Sequence, residues 1–193
     1  MDDTQDKIMT ATMALVTEKG YDAMTTRDIA ERAGVNECTI FRKFRSKREI
    51  VLTAMDDARW RPMLAPEQFE SVSWDLEADL TRFAMIYLQR VTPDFARLSI
   101  GLRSPQLYEY TAPKIFEIPQ VFKTCVREYL ERMCERGAIP PADFEALSTA
   151  FLAINFGFVF FKGSFGDELA VCDVETYVAA SVRAFARGIG GVA

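Results

Sequence analysis

Between Thr25 and Glu49 the chain offers a helix cap three times and a helix breaker once. Thr25 or Thr26 precedes the segment RDIAERA, Gly34 ends it, Asn36 precedes ECTIFRK, and Ser46 precedes KREIV with Glu49 three residues on. Ser, Thr and Asn side chains accept from the free N–H groups of a helix's first turn, and Ser-x-x-Glu is the spacing of a capping box. Glycine stops a helix by taking up the left-handed conformation. Stops this close together confine the stretch to short helices. A short helix, a turn holding a glycine and a second short helix make a helix-turn-helix.

The rest of the chain also reads as helix. Strand-like alternation bounded by turn signals is missing, while apolar residues recur at helical spacing. Helices are predicted at about 3–19, with Ile8, Ala11 and Leu15 on one face and Gly20 as the stop, and at about 47–60, closed by Pro62. Further helices are expected at 74–91, at 93–103 with Pro93 in the first turn, and from beyond a connection at 104–113 to about Arg136. Pro119 should kink that long helix or delay its start. The last two are expected at 141–162 and 173–188, giving an all-α chain of about nine helices.

The charge is unevenly divided. Residues 1–61 hold 11 basic and 11 acidic residues, so the whole net charge of −5 lies in residues 62–193. Within the neutral part, Phe41 to Arg48 carries five cations and no acid: Arg42, Lys43, Arg45, Lys47 and Arg48. Such asymmetry suggests an anion-binding head on an acidic body. The four cysteines are scattered and there is no histidine, which argues against a zinc site and against a secreted disulfide framework. A reducing cytosol is the expected compartment. Ala146 to Phe161 is uncharged, but it is shorter than the roughly 18–20 residues of a membrane span and contains Asn155, so it is expected to be a buried helix. No Ser or Cys nucleophile has an evident base partner and no metal-ligand cluster is present, so enzymatic chemistry is not expected, nor is a cofactor.

The second short helix suits the major groove of DNA, with its first residues at base edges while the preceding helix crosses the backbone. Val35, Ile40 and Phe44 form the expected core-facing set, leaving Glu37, Cys38, Thr39, Arg42 and Lys43 outward. Glu37, Cys38 and Thr39 are the candidates for base reading, and Glu37 could accept from a cytosine amino group or simply favour the helix dipole. Arg42 and Lys43 are candidates for phosphates. Lys47, at the start of the next helix, can bring its charge and free backbone N–H groups to one phosphate. Phe41 is either core or a contact to the DNA backbone or a thymine methyl.

The stretch TTRDIAERAGVNECTIFRKFRSKREIV, Thr25 to Val51, resembles the DNA-binding domain of the TetR-type transcriptional regulators. The resemblance rests on the paired threonines, "IA", "AGV", the cap at Asn36, the Thr39–Phe41 triplet, the aromatic Phe44, Ser46–Lys47, and the Gly20–Tyr21 ending of the first helix. It covers about a quarter of the chain. It implies a helix-turn-helix domain at residues 1–46 and a helical effector-binding and dimerisation domain at 47–193, joined by the helix at 47–60. It adds Thr26, Arg27 and Asn36 to the implied DNA contacts. Phe41 stands where the family usually has tyrosine, Cys38 where a small residue, often glycine, is common, and Lys43 where histidine or tyrosine is common.

The resemblance further implies a homodimer through the last two helices, a palindromic double-stranded operator, a cytoplasmic repressor and a small-molecule effector held within the helical domain. The residues offer an apolar, aromatic effector site: Phe83, Tyr87, Leu98, Leu102, Tyr108, Phe116, Phe122, Phe151, Asn155 and Phe158. The helix holding Ala146–Phe161 is apolar nearly all round, so one side should face a second copy. The rival reading is a helical sensor or scaffold that no longer reads DNA. No membrane association is expected.

Overall fold

The computed structural model describes residues 2–190, so Met1 and residues 191–193 of the expected second domain lie outside the described residues. Among these there are nine α-helices, two short 3-10 turns (Pro66–Phe69 and Gly166–Glu168) and no strand. The helices are α1 (Asp3–Ala23), α2 (Thr26–Ala33), α3 (Glu37–Lys43), α4 (Lys47–Ala54), α5 (Leu76–Arg90), α6 (Pro93–Gly101), α7 (Tyr108–Glu135), α8 (Phe144–Phe165) and α9 (Val174–Gly190).

The two largest differences from the sequence reading concern helix ends. The helix expected to run to residue 60 stops at Ala54. The expected connection at 104–113 is helical from Tyr108, and α7 continues through Pro113 and Pro119. Its stripe of Thr111, Ile115, Ile118 and Phe122, continuing from Leu107, is buried throughout. Burial of such a stripe outweighs the two N–H groups that the prolines lack.

The chain divides into two compact units. One unit is Met1–Pro62 with Asp94–Phe116, and the other is Met63–Pro93 with Glu117–Ala193. In the first unit, α1 packs against α2 and α4, and α2 against α3. Its core joins Ile8, Met9, Met13 and Val16 of α1 to Ile29, Ile40, Phe44, Ile50 and Val51, and to Leu98, Leu102 and Leu107. Helix α6 lies directly on α1. A Cβ added to Gly101 would stand 2.3 Å from the carbonyl oxygen of Val16, so only glycine permits this approach. The Asp22 carboxylate accepts from the Ser104 hydroxyl at 2.6 Å, and Lys114 pairs with Asp56.

A helical Gly→Ala change usually stabilises, by up to about 1 kcal/mol. Here the sign should reverse. Gly101→Ala is expected to cost about 2 kcal/mol through overpacking against a helix backbone that cannot yield, read as a lower midpoint in urea denaturation.

In the second unit, α5 packs against α8 and α9 around rings. Phe83 meets Phe69 and Tyr129 edge-on at 5.2 and 5.1 Å. Phe122 meets Tyr87 at 4.4 Å and Phe151 at 5.8 Å, and Phe151 meets Phe185 at 5.0 Å. Helix α8 turns Ser148, Phe151, Asn155, Phe158 and Val159 inward. Ala146, Thr149, Ala150 and Ala153 stay exposed on its opposite side, as do Ala179, Ala180, Ala184 and Gly188 of α9. By length and composition α8 is apolar enough to cross a membrane, and only 28% of its most apolar stretch is buried within the chain.

Candidate nucleic-acid interface

The helix-turn-helix is held at each corner by a local device. Thr25 and Asp28 form a reciprocal capping box at the start of α2. Hydrogen bonds from Lys19 and from Thr25 hold the Asp28 carboxyl well below the usual carboxylate range. Gly34 ends α2 in the left-handed region at φ 66°, where its N–H reaches back to α2 and the Val35 N–H reaches the Ala30 carbonyl at 3.0 Å. A side chain there would be strained, which is why a glycine marks this turn. Asn36 caps α3 by accepting from the Cys38 N–H at 2.9 Å. Ser46 caps α4 through the Glu49 N–H, but the Glu49 carboxylate accepts from the Arg45 N–H at 2.6 Å, so the expected box is shifted by one residue. Arg32 adds a bidentate pair with Glu18 that fastens α2 to α1.

These devices orient α3. Ile40 and Phe44 are buried and Val35 packs against the same core, as expected. Cys38 and Arg42 are exposed, with Arg27 and Asn36, and Phe41 is 56% exposed. An aromatic ring this open, flanked by Arg42 on a helix whose other face is fully used, belongs to the outward set and not to the core. Thr39 is half-buried, its N–H donating to the Asn36 carbonyl at 2.8 Å.

Four of the expected DNA contacts already have partners inside the chain. The Thr26 hydroxyl donates to Glu37 Oε1 at 2.5 Å. Lys43 pairs with Asp2 at 2.5 Å, and this ammonium holds the Asp2 carboxyl below its ordinary range. Lys47 Nζ donates to the Tyr21 and Met24 carbonyls at 3.0 and 2.8 Å and lies 4.2 Å from the Tyr21 ring centre. Lys47 thus closes the C-terminal end of α1 as well as opening α4. Asp2, the α1 carbonyls and the Arg48–Tyr110 cation–π contact at 5.4 Å escaped the sequence reading, because nothing in local spacing announces contacts across 20 to 60 residues.

The ten expected effector residues divide between the two units. Phe83, Tyr87, Phe122, Phe151, Asn155 and Phe158 are buried in the second unit. Leu98 and Leu102 instead fill the core of the first unit. Tyr108 and Phe116, also in the first unit, are 41% and 48% exposed and meet edge-on at 6.3 Å. Among the described residues no group of three or more possible metal ligands occurs.

A helix-turn-helix with an outward cationic and aromatic face, in an otherwise acidic helical chain, is the form of a DNA-binding transcriptional regulator. Residues 8–54 match the family described as bacterial regulatory proteins, tetR family. The uncharacterized HTH-type transcriptional regulator YvkB of Bacillus subtilis (strain 168) is 30% identical over 186 residues, covering 96% of this chain and 97% of that protein. The chain belongs to the tetR family. Solved structures agree on the fold. The TetR family regulator PfmR from Thermus thermophilus has a TM-score of 0.70 at 21% identity, covering 93% of this chain and 97% of its own. FadR from Bacillus subtilis, in complex with stearoyl-CoA, has a TM-score of 0.64 at 18% identity, covering 95% and 98%.

Proposed function

We propose that the chain is a cytoplasmic homodimeric repressor that leaves a palindromic operator when an apolar or aromatic effector binds. The observation that carries the DNA half is the division of α3 into a buried face and an outward face bearing Cys38, Phe41 and Arg42. In this reading Asn36, Glu37, Cys38 and Thr39 lie at base edges. Arg27, Phe41, Arg42, Lys43 and Lys47 lie along the backbone, and Thr26 stands beside Glu37. Two copies would meet through the exposed small-residue faces of α8 and α9, setting two α3 helices about one DNA turn (roughly 34–36 Å) or a multiple apart.

The effector half rests on the ring cluster of Phe83, Tyr87, Phe122, Phe151 and Phe158. Burial raises the Tyr87 hydroxyl, which therefore stays neutral. Asn155 donates to the Phe151 carbonyl at 2.8 Å while its Oδ1 is buried without a protein partner. An uncharged ligand entering among these rings would find apolar contact and one acceptor. The stearoyl-CoA held by the fold neighbour FadR, with its long acyl chain, is in keeping with an apolar interior. The ligand must prefer the dimer shape that DNA disfavours, and DNA must weaken ligand binding by the same factor.

The test is selection from a random duplex library at two salt concentrations. A palindrome with a fixed spacer is the expected result. Weak, salt-sensitive retention with no motif would instead support a sensor or scaffold that no longer reads DNA. Lys47→Met should weaken binding equally on all sequences and lower the salt slope by about one, measured by titration across a salt series. It should also cost about 1–2 kcal/mol of stability, because two carbonyls lose a charged donor.

A further inference from the structure

We propose that Glu37, aimed by Thr26, makes the protein require a cytosine at one position of each operator half-site. The inference rests on the DNA-binding reading above and adds to it the base and the residue pair that selects it. Glu37 opens α3 and Thr26 opens α2, and the Thr26 hydroxyl donates to Glu37 Oε1 at 2.5 Å across the turn. A glutamate serving only the α3 dipole would need no such partner, since the dipole acts over the first turn whatever the side chain's direction. The bond fixes a direction. It engages one carboxylate oxygen and leaves Oε2 as an acceptor at the start of the helix that carries Cys38 and Arg42 outward.

A carboxylate brought against DNA is repelled by phosphates and by base acceptors. It is tolerated where a base offers a donor. In the major groove G presents only acceptors, T presents an acceptor and a methyl group, A presents its N6 donor beside the N7 acceptor, and C presents its N4 donor. The N7 lone pair next to N6 opposes the second carboxylate oxygen on adenine. On cytosine the neighbouring edge is a C–H and does not. Thr26 is therefore a positioning residue. Its single O–H is engaged by Glu37 and is not at the same time a phosphate donor.

The experiment is library selection with the wild-type chain, Glu37→Gln and Thr26→Val, each binding site then compared base by base. The wild type should show a cytosine at one position per half-site, favoured about ten- to hundredfold over other bases, as a good direct contact gives. Glu37→Gln should move that one preference to adenine, whose N6 and N7 suit an amide, and leave the other positions unchanged. Thr26→Val should keep the motif but reduce discrimination at that position severalfold. An unchanged motif in Glu37→Gln, or an equal loss on every sequence in both variants, overturns the inference while the DNA-binding reading stands. No motif from the wild type overturns both.

Discussion

Asp79→Ala should lower the stability of the chain by about 3 kcal/mol, read as an earlier urea midpoint in tryptophan fluorescence. Asp79 is 3% exposed on α5 and is the acceptor for a whole corner of the second unit. Its Oδ1 accepts from the Ser73 N–H at 2.8 Å and the Ser73 hydroxyl at 3.0 Å. Its Oδ2 accepts from the Trp74 N–H and from the Tyr129 hydroxyl, both at 2.9 Å. Burial, followed by the Asp79 carboxylate, raises the Tyr129 hydroxyl, so it remains a donor. Trp74 sits at φ 65°, which a bulky residue holds only when its surroundings impose it. Those surroundings are this carboxylate, the stacked Tyr129 ring at 6.4 Å and the Arg136 guanidinium 4.1 Å from the indole centre.

Each donor left buried and unpaired costs about 1–3 kcal/mol, and the figures do not add because the Ser73–Trp74 loop can open to water. Tyr129→Phe removes one donor and leaves the carboxylate three others, so it should cost about 1 kcal/mol. Asp79→Asn should fall between, since one oxygen survives while an amide NH₂ faces a donor. An order in which Tyr129→Phe exceeds Asp79→Ala would show that the ring hydroxyl, and not the carboxylate, organises the corner.

What could be read from the sequence was what neighbours in the chain decide. The caps at Thr25, Asn36 and Ser46 and the stop at Gly34 act within a few residues, so their letters are enough. The end of α4 is different. The run VLTAMDDARW contains no breaker, yet the helix ends at Ala54. Asp57 accepts from the Arg59 N–H at 2.9 Å, and Arg59 reaches Asp6 of α1 at 2.5 Å while lying over the Trp60 ring. Local side-chain bonds to the backbone compete with the helix ladder, and here a contact to α1 decides the competition.

The candidate DNA face was legible because buried and outward positions alternate at helical spacing around Ile40. Whether a cation there is free was not. Lys43 and Lys47 read as phosphate candidates, and the structure adds partners within the chain, Asp2 for one and the carbonyls of Tyr21 and Met24 for the other. The effector candidates divide between the two units for a different reason. Leu98 and Leu102 carry the right chemistry, but apolar character does not say which of two cores a residue will join.

On the proposed dimeric reading, Ala153→Glu should separate the two copies and reduce operator affinity by about a hundred- to ten-thousandfold. Ala153 is exposed, on the side of α8 opposite Phe151, Asn155 and Phe158. In an isolated subunit a glutamate there meets water, so the change should stay within about 0.5 kcal/mol. At a two-fold interface the same residue appears twice, and two carboxylates lose water side by side. Leaving an uncompensated charge buried costs about 3–5 kcal/mol, enough to dissociate a dimer at micromolar concentration. Each head would then grip one half-site without the other, and the gain from joint binding disappears although no DNA-contacting residue has changed. Light scattering and operator titration on the same sample separate the possibilities. A monomer with intact helicity and weak binding fits the small-residue faces of α8 and α9 as the join between copies. A dimer that keeps full affinity would place that join elsewhere, and would leave the apolar outer side of α8 facing a different partner.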